Sequence, residues 1–112
     1  MTIATINLVR NDNLPQVTLT LTDPATGSAI DLSASTTTIL VRIRALGSTT
    51  VSATLTCSKP NGGGDGKAMF FFPGTTLDLA AGVYEGEIEM NFDGLKQTVY
   101  DLLRFKVREE FA

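Results

Sequence analysis

From Tyr84 to Met90 the chain alternates without a slip. Tyr84, Gly86, Ile88 and Met90 are apolar or small, and Glu85, Glu87 and Glu89 stand between them. A period of two means extended backbone with one face in a core and the other in water. Gly82 lies just before the run and supplies a corner. Tyr84 opens the strand, placed to bury its ring and return its hydroxyl to backbone near that corner.

The same period recurs along the chain. After Pro15, Val17, Leu19 and Leu21 face one way, and Thr18, Thr20 and Thr22 the other. Asp23-Pro24-Ala25-Thr26-Gly27-Ser28 has the residues of a turn. Ala29 to Leu32 is a short extended piece, and residues 36–44 form the next strand, with Ile39, Val41 and Ile43 on one face. Val51, Ala53, Leu55 and Cys57 share a face of another, and Lys67 to Phe72 follows as a further strand. Four glycines within residues 62–66 predict the most flexible stretch of the molecule. Asp93-Gly94 is the strongest hairpin signal. If those two residues form the loop, Phe92 faces Leu95, Tyr84 faces Leu103, and Leu103, Phe105 and Val107 fall on the core side. Asp101 would also point inward, opposite Gly86, so a bulge near Asp101-Leu102 or a specific partner for Asp101 is expected, because an unpaired inward carboxylate is costly.

No stretch has a helical period. Seven to eight strands, with turns about every ten residues, predict an all-β fold, an immunoglobulin-like antiparallel β-sandwich. The 112 residues make a single domain, 1–112, in which residues 1–6 are a first strand or a loose arm.

Charge and composition narrow the function. The net charge is −3, all of it from residues 57–112, and no basic patch suggests a nucleic-acid partner. Residues 1–5 lack the basic start and apolar run of a signal peptide, and no apolar run approaches the ~20 residues of a membrane span. Cys57 is the only cysteine, expected as a small buried apolar residue. There is no histidine, which removes Ser–His and Cys–His nucleophile pairs and the usual zinc sites.

Other candidate chemistry fails on pattern. Glu85, Glu87 and Glu89 form a solvated or partner-facing stripe, with Arg104 and Lys106 as the nearest bases, and a glycosidase instead needs one carboxyl with a raised pKa across a bond. The segment from Gly62 to Ala68 superficially suggests a phosphate loop, but its glycine spacing is wrong, Ala68 replaces the required Ser or Thr, and a strand follows. Asn61 and Asp65 are too few oxygen ligands for calcium. The expectation is a protein that is not an enzyme, with no catalytic residue, metal, cofactor or small-molecule substrate.

Large apolar residues remain on outer faces. With Phe70 and Phe72 in the core, Met69 and Phe71 point outward. Leu40 does so on its own strand, and Tyr100 and Leu102 on the last one. Apolar groups of this size are seldom left together in water. Leu40, Met69, Phe71, Tyr100 and Leu102, with the glycine loop, are therefore the candidate contact residues for other copies of the chain or for neighbours.

Three segments carry a family resemblance. Arg10-Asn11-Asp12-Asn13-Leu14-Pro15-Gln16-Val17-Thr18-Leu19-Thr20-Leu21-Thr22-Asp23 resembles the opening of the N-terminal domain of phage baseplate upper proteins, where a short Asp-x-x-Pro element precedes an alternating strand. Ala29-Ile30-Asp31-Leu32-Ser33-Ala34 resembles that family's next element, and Leu79-Ala80-Ala81-Gly82-Val83-Tyr84 its Gly-x-Tyr segment. The resemblance spans roughly residues 10–107. It implies a non-catalytic structural component of a tailed-phage virion, most of all of its tail or baseplate. Such a protein would sit in the virion, and in the host cytoplasm during assembly. Its partners would be other virion structural proteins and, in the particle, copies of itself. In that family the domain begins a longer chain. Here the chain stops with it, which suggests a free-standing tail, baseplate or head-surface component. The alternatives are a head-surface decoration protein and a carbohydrate-binding module for host attachment.

Overall fold

The computed structural model describes residues 2–111; Met1, at the start of the expected arm or first strand, and Ala112 lie outside the described residues. Among the described residues eight strands are present: β1 (Thr2–Val9), β2 (Val17–Thr20), β3 (Thr37–Ala45), β4 (Val51–Thr56), β5 (Lys67–Phe70), β6 (Gly82–Phe92), β7 (Leu95–Thr98) and β8 (Leu102–Arg108). The all-β class holds, with no helix among the described residues. The large sheet has the order β1-β8-β6-β3-β4, with β7 also paired to β6, and β2 and β5 make a second, two-stranded layer. All pairs are antiparallel except β1 with β8, which is parallel.

The alternation at Tyr84 to Met90 places its apolar face inward. Tyr84, Ile88 and Met90 are buried with Ile39, Val41 and Ile43 of β3 and Leu103, Phe105 and Val107 of β8. Leu19, Leu21, Phe70 and Phe72 close over them from the small layer. The joint between layers is aromatic. Phe105 meets Phe70 and Phe72 edge-on with centroids 6.4 and 6.1 Å away, and those two lie 5.8 Å from each other. Gly86 makes room for this joint, because a Cβ there would stand 2.7 Å from Phe105 Cε2.

The tyrosine corner forms as expected: the Tyr84 hydroxyl donates to the Ala80 carbonyl at 2.7 Å. Tyr84→Phe leaves that carbonyl without its partner and should cost about 1–2 kcal/mol in a denaturant melt. A variant as stable as the parent would show that the corner does not contribute to holding the strand.

The hairpin register differs from a uniform pairing. Asp93 (φ 53°) and Gly94 (φ 94°) take the left-handed conformations of a type I′ turn, and Phe92 faces Leu95. Two extra residues then enter before β8, so Tyr84 faces Phe105 instead of Leu103, and Gly86 faces Leu103 instead of Asp101. The expected bulge near Asp101 is therefore present. A two-residue slip preserves facing, which is why Leu103, Phe105 and Val107 stay inside.

The glycine stretch, whose composition predicts a flexible loop, is packed at Gly63 and Gly66, while Gly62 and Gly64 are exposed. Gly63 and Gly66 are buried, and their carbonyls accept from the Leu32 amide at 2.9 Å and the Leu21 amide at 2.8 Å. Asp65 accepts from Asn61 Nδ2 at 2.9 Å and from the Lys67 amide at 3.1 Å. Those bonds hold its carboxyl below the usual range. Here glycine serves close backbone approach, where a side chain would not fit.

Candidate assembly surface

The small layer covers one face of the large sheet, and the opposite face is open. Across it, Arg44 of β3, Glu85 of β6 and Arg104 of β8 stand in one row. Arg44 Nε lies 3.6 Å from Glu85 Oε1, and Arg42 donates to Glu89. Two of the three glutamates, Glu85 and Glu89, are thus tied to β3 instead of to Arg104 and Lys106, while Glu87 is exposed. The Glu85 and Glu89 side chains are only 16% and 11% exposed. Arg104 Nε is buried without a hydrogen-bond partner among the described residues.

The five expected contact residues do not form one patch. Leu40 and Leu102 lie on the open face and are half-buried by their own chain. Tyr100 projects from the bulge, 90% exposed. It flanks a groove of about 440 Å³ floored by Leu21 and Met90 and rimmed by Gln97, Thr98 and Asp101. Met69 and Phe71 belong to the small layer, where Met69 is half-buried and Phe71 is 43% exposed. The glycine loop, anchored at Gly63 and Gly66, joins none of these.

Met69 and Phe71 do share a site with β4. The chain leaves β4 through Cys57 and crosses to the small layer, where Ser58 and Met69 exchange amide bonds of 2.8 and 2.9 Å. Beyond that bridge the layers part. The cleft between them is about 360 Å³ and is lined by Thr54, Thr56, Phe71, Pro73 and Thr76. Its far wall is fixed from below: the Phe72 amide donates to the Asn13 carbonyl at 3.0 Å, and Asn13 Nδ2 donates to the Phe72 and Gly74 carbonyls at 2.7 and 3.1 Å. With Phe70 and Phe72 held inward, Phe71 must face out.

Backbone polarity in this cleft follows from strand parity. The Cys57 amide donates to the Ile39 carbonyl of β3 at 2.8 Å. Alternate residues of an antiparallel strand direct their amide and carbonyl to opposite sides. Leu55 therefore bonds toward β3, while Thr54 and Thr56 direct theirs to the open edge. An open row of this kind is a template for another strand. Sequence reading found Met69 and Phe71 but missed this edge. The signal available was that residues 51–56 contain no charge.

Chemically the surface offers contacts. Among the described residues, no three acidic or cysteine side chains gather as a metal site would require. Burial pushes the Cys57 thiol up to about 12, so it stays protonated at neutral pH and is a poor nucleophile. Among the described residues, no helix is long and apolar enough to cross a membrane. No family model matches the chain, and no curated protein matches it.

Proposed function

We propose that this chain is a non-catalytic structural component of a tailed-phage virion, of its tail or baseplate, working through protein–protein contacts. The observation that carries the assembly part is the β4 cleft: an uncharged open strand edge beside an aromatic ring held partly in water. The resemblance of residues 10–23, 29–34 and 79–84 to the N-terminal domain of phage baseplate upper proteins supplies the virion setting. Phe71→Asp places a charge at the mouth of the cleft without touching the core. It should give a folded protein that is lost from particles by at least about tenfold, the factor that corresponds to ~1.4 kcal/mol of contact energy. Mass spectrometry of purified tail and head fractions reads this. Undiminished incorporation would overturn the reading, and incorporation into heads alone would favour the decoration alternative.

A second reading has its own observation. The Tyr100 groove sets an exposed ring beside an amide, a carboxylate and a hydroxyl, groups that suit a sugar. A glycan array separates the two, and reproducible binding abolished by Tyr100→Ala would favour host attachment.

A further inference from the structure

We infer that copies of this chain join edge to edge. The β4 edge of one copy pairs antiparallel with the β1 edge of the next, and the large sheet runs on from copy to copy. The first observation is where charge lies. The interior strands β3, β6 and β8 carry two arginines, three glutamates and three further bases, while the edge strands Thr2–Val9 and Val51–Thr56 carry no charge at all. A sheet edge that must stay single is ordinarily guarded by charge, by proline or by a bulge. Neither edge strand contains proline. Their register irregularities lie at their starts, which leaves residues 53–56 of β4 and 4–9 of β1 regular.

Direction and facing complete the match. β1 runs parallel to β8, and each step from β8 through β6 and β3 to β4 is antiparallel. Within one chain, β1 and β4 therefore point opposite ways. Two copies in the same orientation, set side by side, bring β4 of one against β1 of the other as an antiparallel pair, and the inner face stays inner. Leu55 then continues the apolar row of Ile6 and Leu8. The bonding groups also fit. The Arg10 amide donates to the Arg108 carbonyl at 2.9 Å, so Leu8 and Ile6 bond toward β8, and Thr5 and Asn7 direct their backbone to the open edge. Thr54 and Thr56 do the same on β4.

A second copy is the occupant because one chain carries both halves of the ladder. A two-fold contact of β4 with β4 would leave β1 open, whereas a head-to-tail contact uses both edges and builds a ring or a filament. The inference names the partner in the assembly reading and rests on that reading for its biological setting.

Sedimentation equilibrium up to about 1 mM chain is the test, because a short ladder is expected to bind with a roughly micromolar-to-millimolar dissociation constant. The parent should grow beyond a dimer as concentration rises. Thr54→Pro removes a donor that faces the open edge, where proline is tolerated. It should raise the dissociation constant at least about tenfold. Asn7→Pro should do the same from β1. Each variant keeps one good edge, so an equimolar mixture should form dimers with the parent's dissociation constant and grow further only at concentrations at least about tenfold higher. Circular dichroism checks folding, and Thr54→Lys replaces Thr54→Pro if proline impairs it. A parent that stays monomeric overturns edge pairing, as does association unchanged by either substitution. A single variant that dimerises with the parent's dissociation constant and grows no further would show a two-fold contact and also overturn it. A monomer that still enters particles removes edge pairing and leaves the assembly reading intact, whereas failure of Phe71→Asp to alter incorporation removes that reading independently.

Discussion

Phe105→Ala should destabilise the protein by about 3–5 kcal/mol, the range for emptying a fully buried aromatic site. Phe105 is 1% exposed and is the contribution of the large sheet to the aromatic joint between layers. Three losses coincide in that substitution. Apolar area returns to water on unfolding no longer, a cavity opens beside Gly86, and two edge-on aromatic contacts worth about 0.5–1.5 kcal/mol each disappear. Gly86 has no side chain with which to fill the hole. Against a total stability of about 5–15 kcal/mol this is a large fraction. The midpoint of thermal unfolding should fall by on the order of 15 °C. A loss below about 1 kcal/mol would show that the layers are held together elsewhere.

Gly66→Ala should cost about 2–4 kcal/mol, from left-handed strain and a broken backbone bond. Gly66 has φ +74°, and a Cβ there would lie 2.6 Å from the Leu21 carbonyl oxygen. That oxygen cannot move freely, because it accepts from the Ile30 amide at 2.9 Å, while the Leu21 amide donates to the Gly66 carbonyl at 2.8 Å. Gly64 is the internal control. It has no positive φ, and a Cβ there meets nothing within 4 Å, so Gly64→Ala should stay within about 0.5 kcal/mol of the parent. Denaturant melts of the pair decide the matter. Equal, small effects would mean that the segment is as loose as its composition suggests.

These two sites mark the line between what the residues disclose and what they do not. Alternation reports facing, so the inward positions of Ile88, Met90, Phe70, Phe72 and Phe105 are legible in the sequence. Tyr84 and Asp93-Gly94 were legible because a corner and a two-residue turn each need particular chemistry. Alternation says nothing about neighbours. Hence the parallel partner of β1 and the link from the glutamate stripe to Arg42 and Arg44 came only from the fold. The bulge before β8 was legible as a conflict, an inward Asp101, but not as a two-residue slip. Val51 shows the same limit. The register shift in β4 sets it opposite Arg44, toward the open face, instead of beside Ala53 and Leu55. Glycine is ambiguous for a different reason: the missing side chain serves both a loose loop and a tight one, and only the atoms around Gly63 and Gly66 distinguish them. Of the candidate contact residues, Met69 and Phe71 lie at an open edge. Leu40 and Leu102 do take the open face, but half-buried, because long charged side chains on such a face cover apolar surface, and alternation alone does not report that cover.

Amide hydrogen exchange, residue by residue and at two concentrations, tests the central claim most directly. In dilute solution Thr54, Thr56, Thr5 and Asn7 should exchange quickly and Leu55 slowly, because only the last is bonded within its own sheet. At about 1 mM chain, where a dissociation constant of ~0.1 mM leaves roughly three edges in four paired, those four amides should slow about fourfold and Leu55 should not change. Four amides that exchange at the same rate at both concentrations would contradict an edge built to receive a second copy.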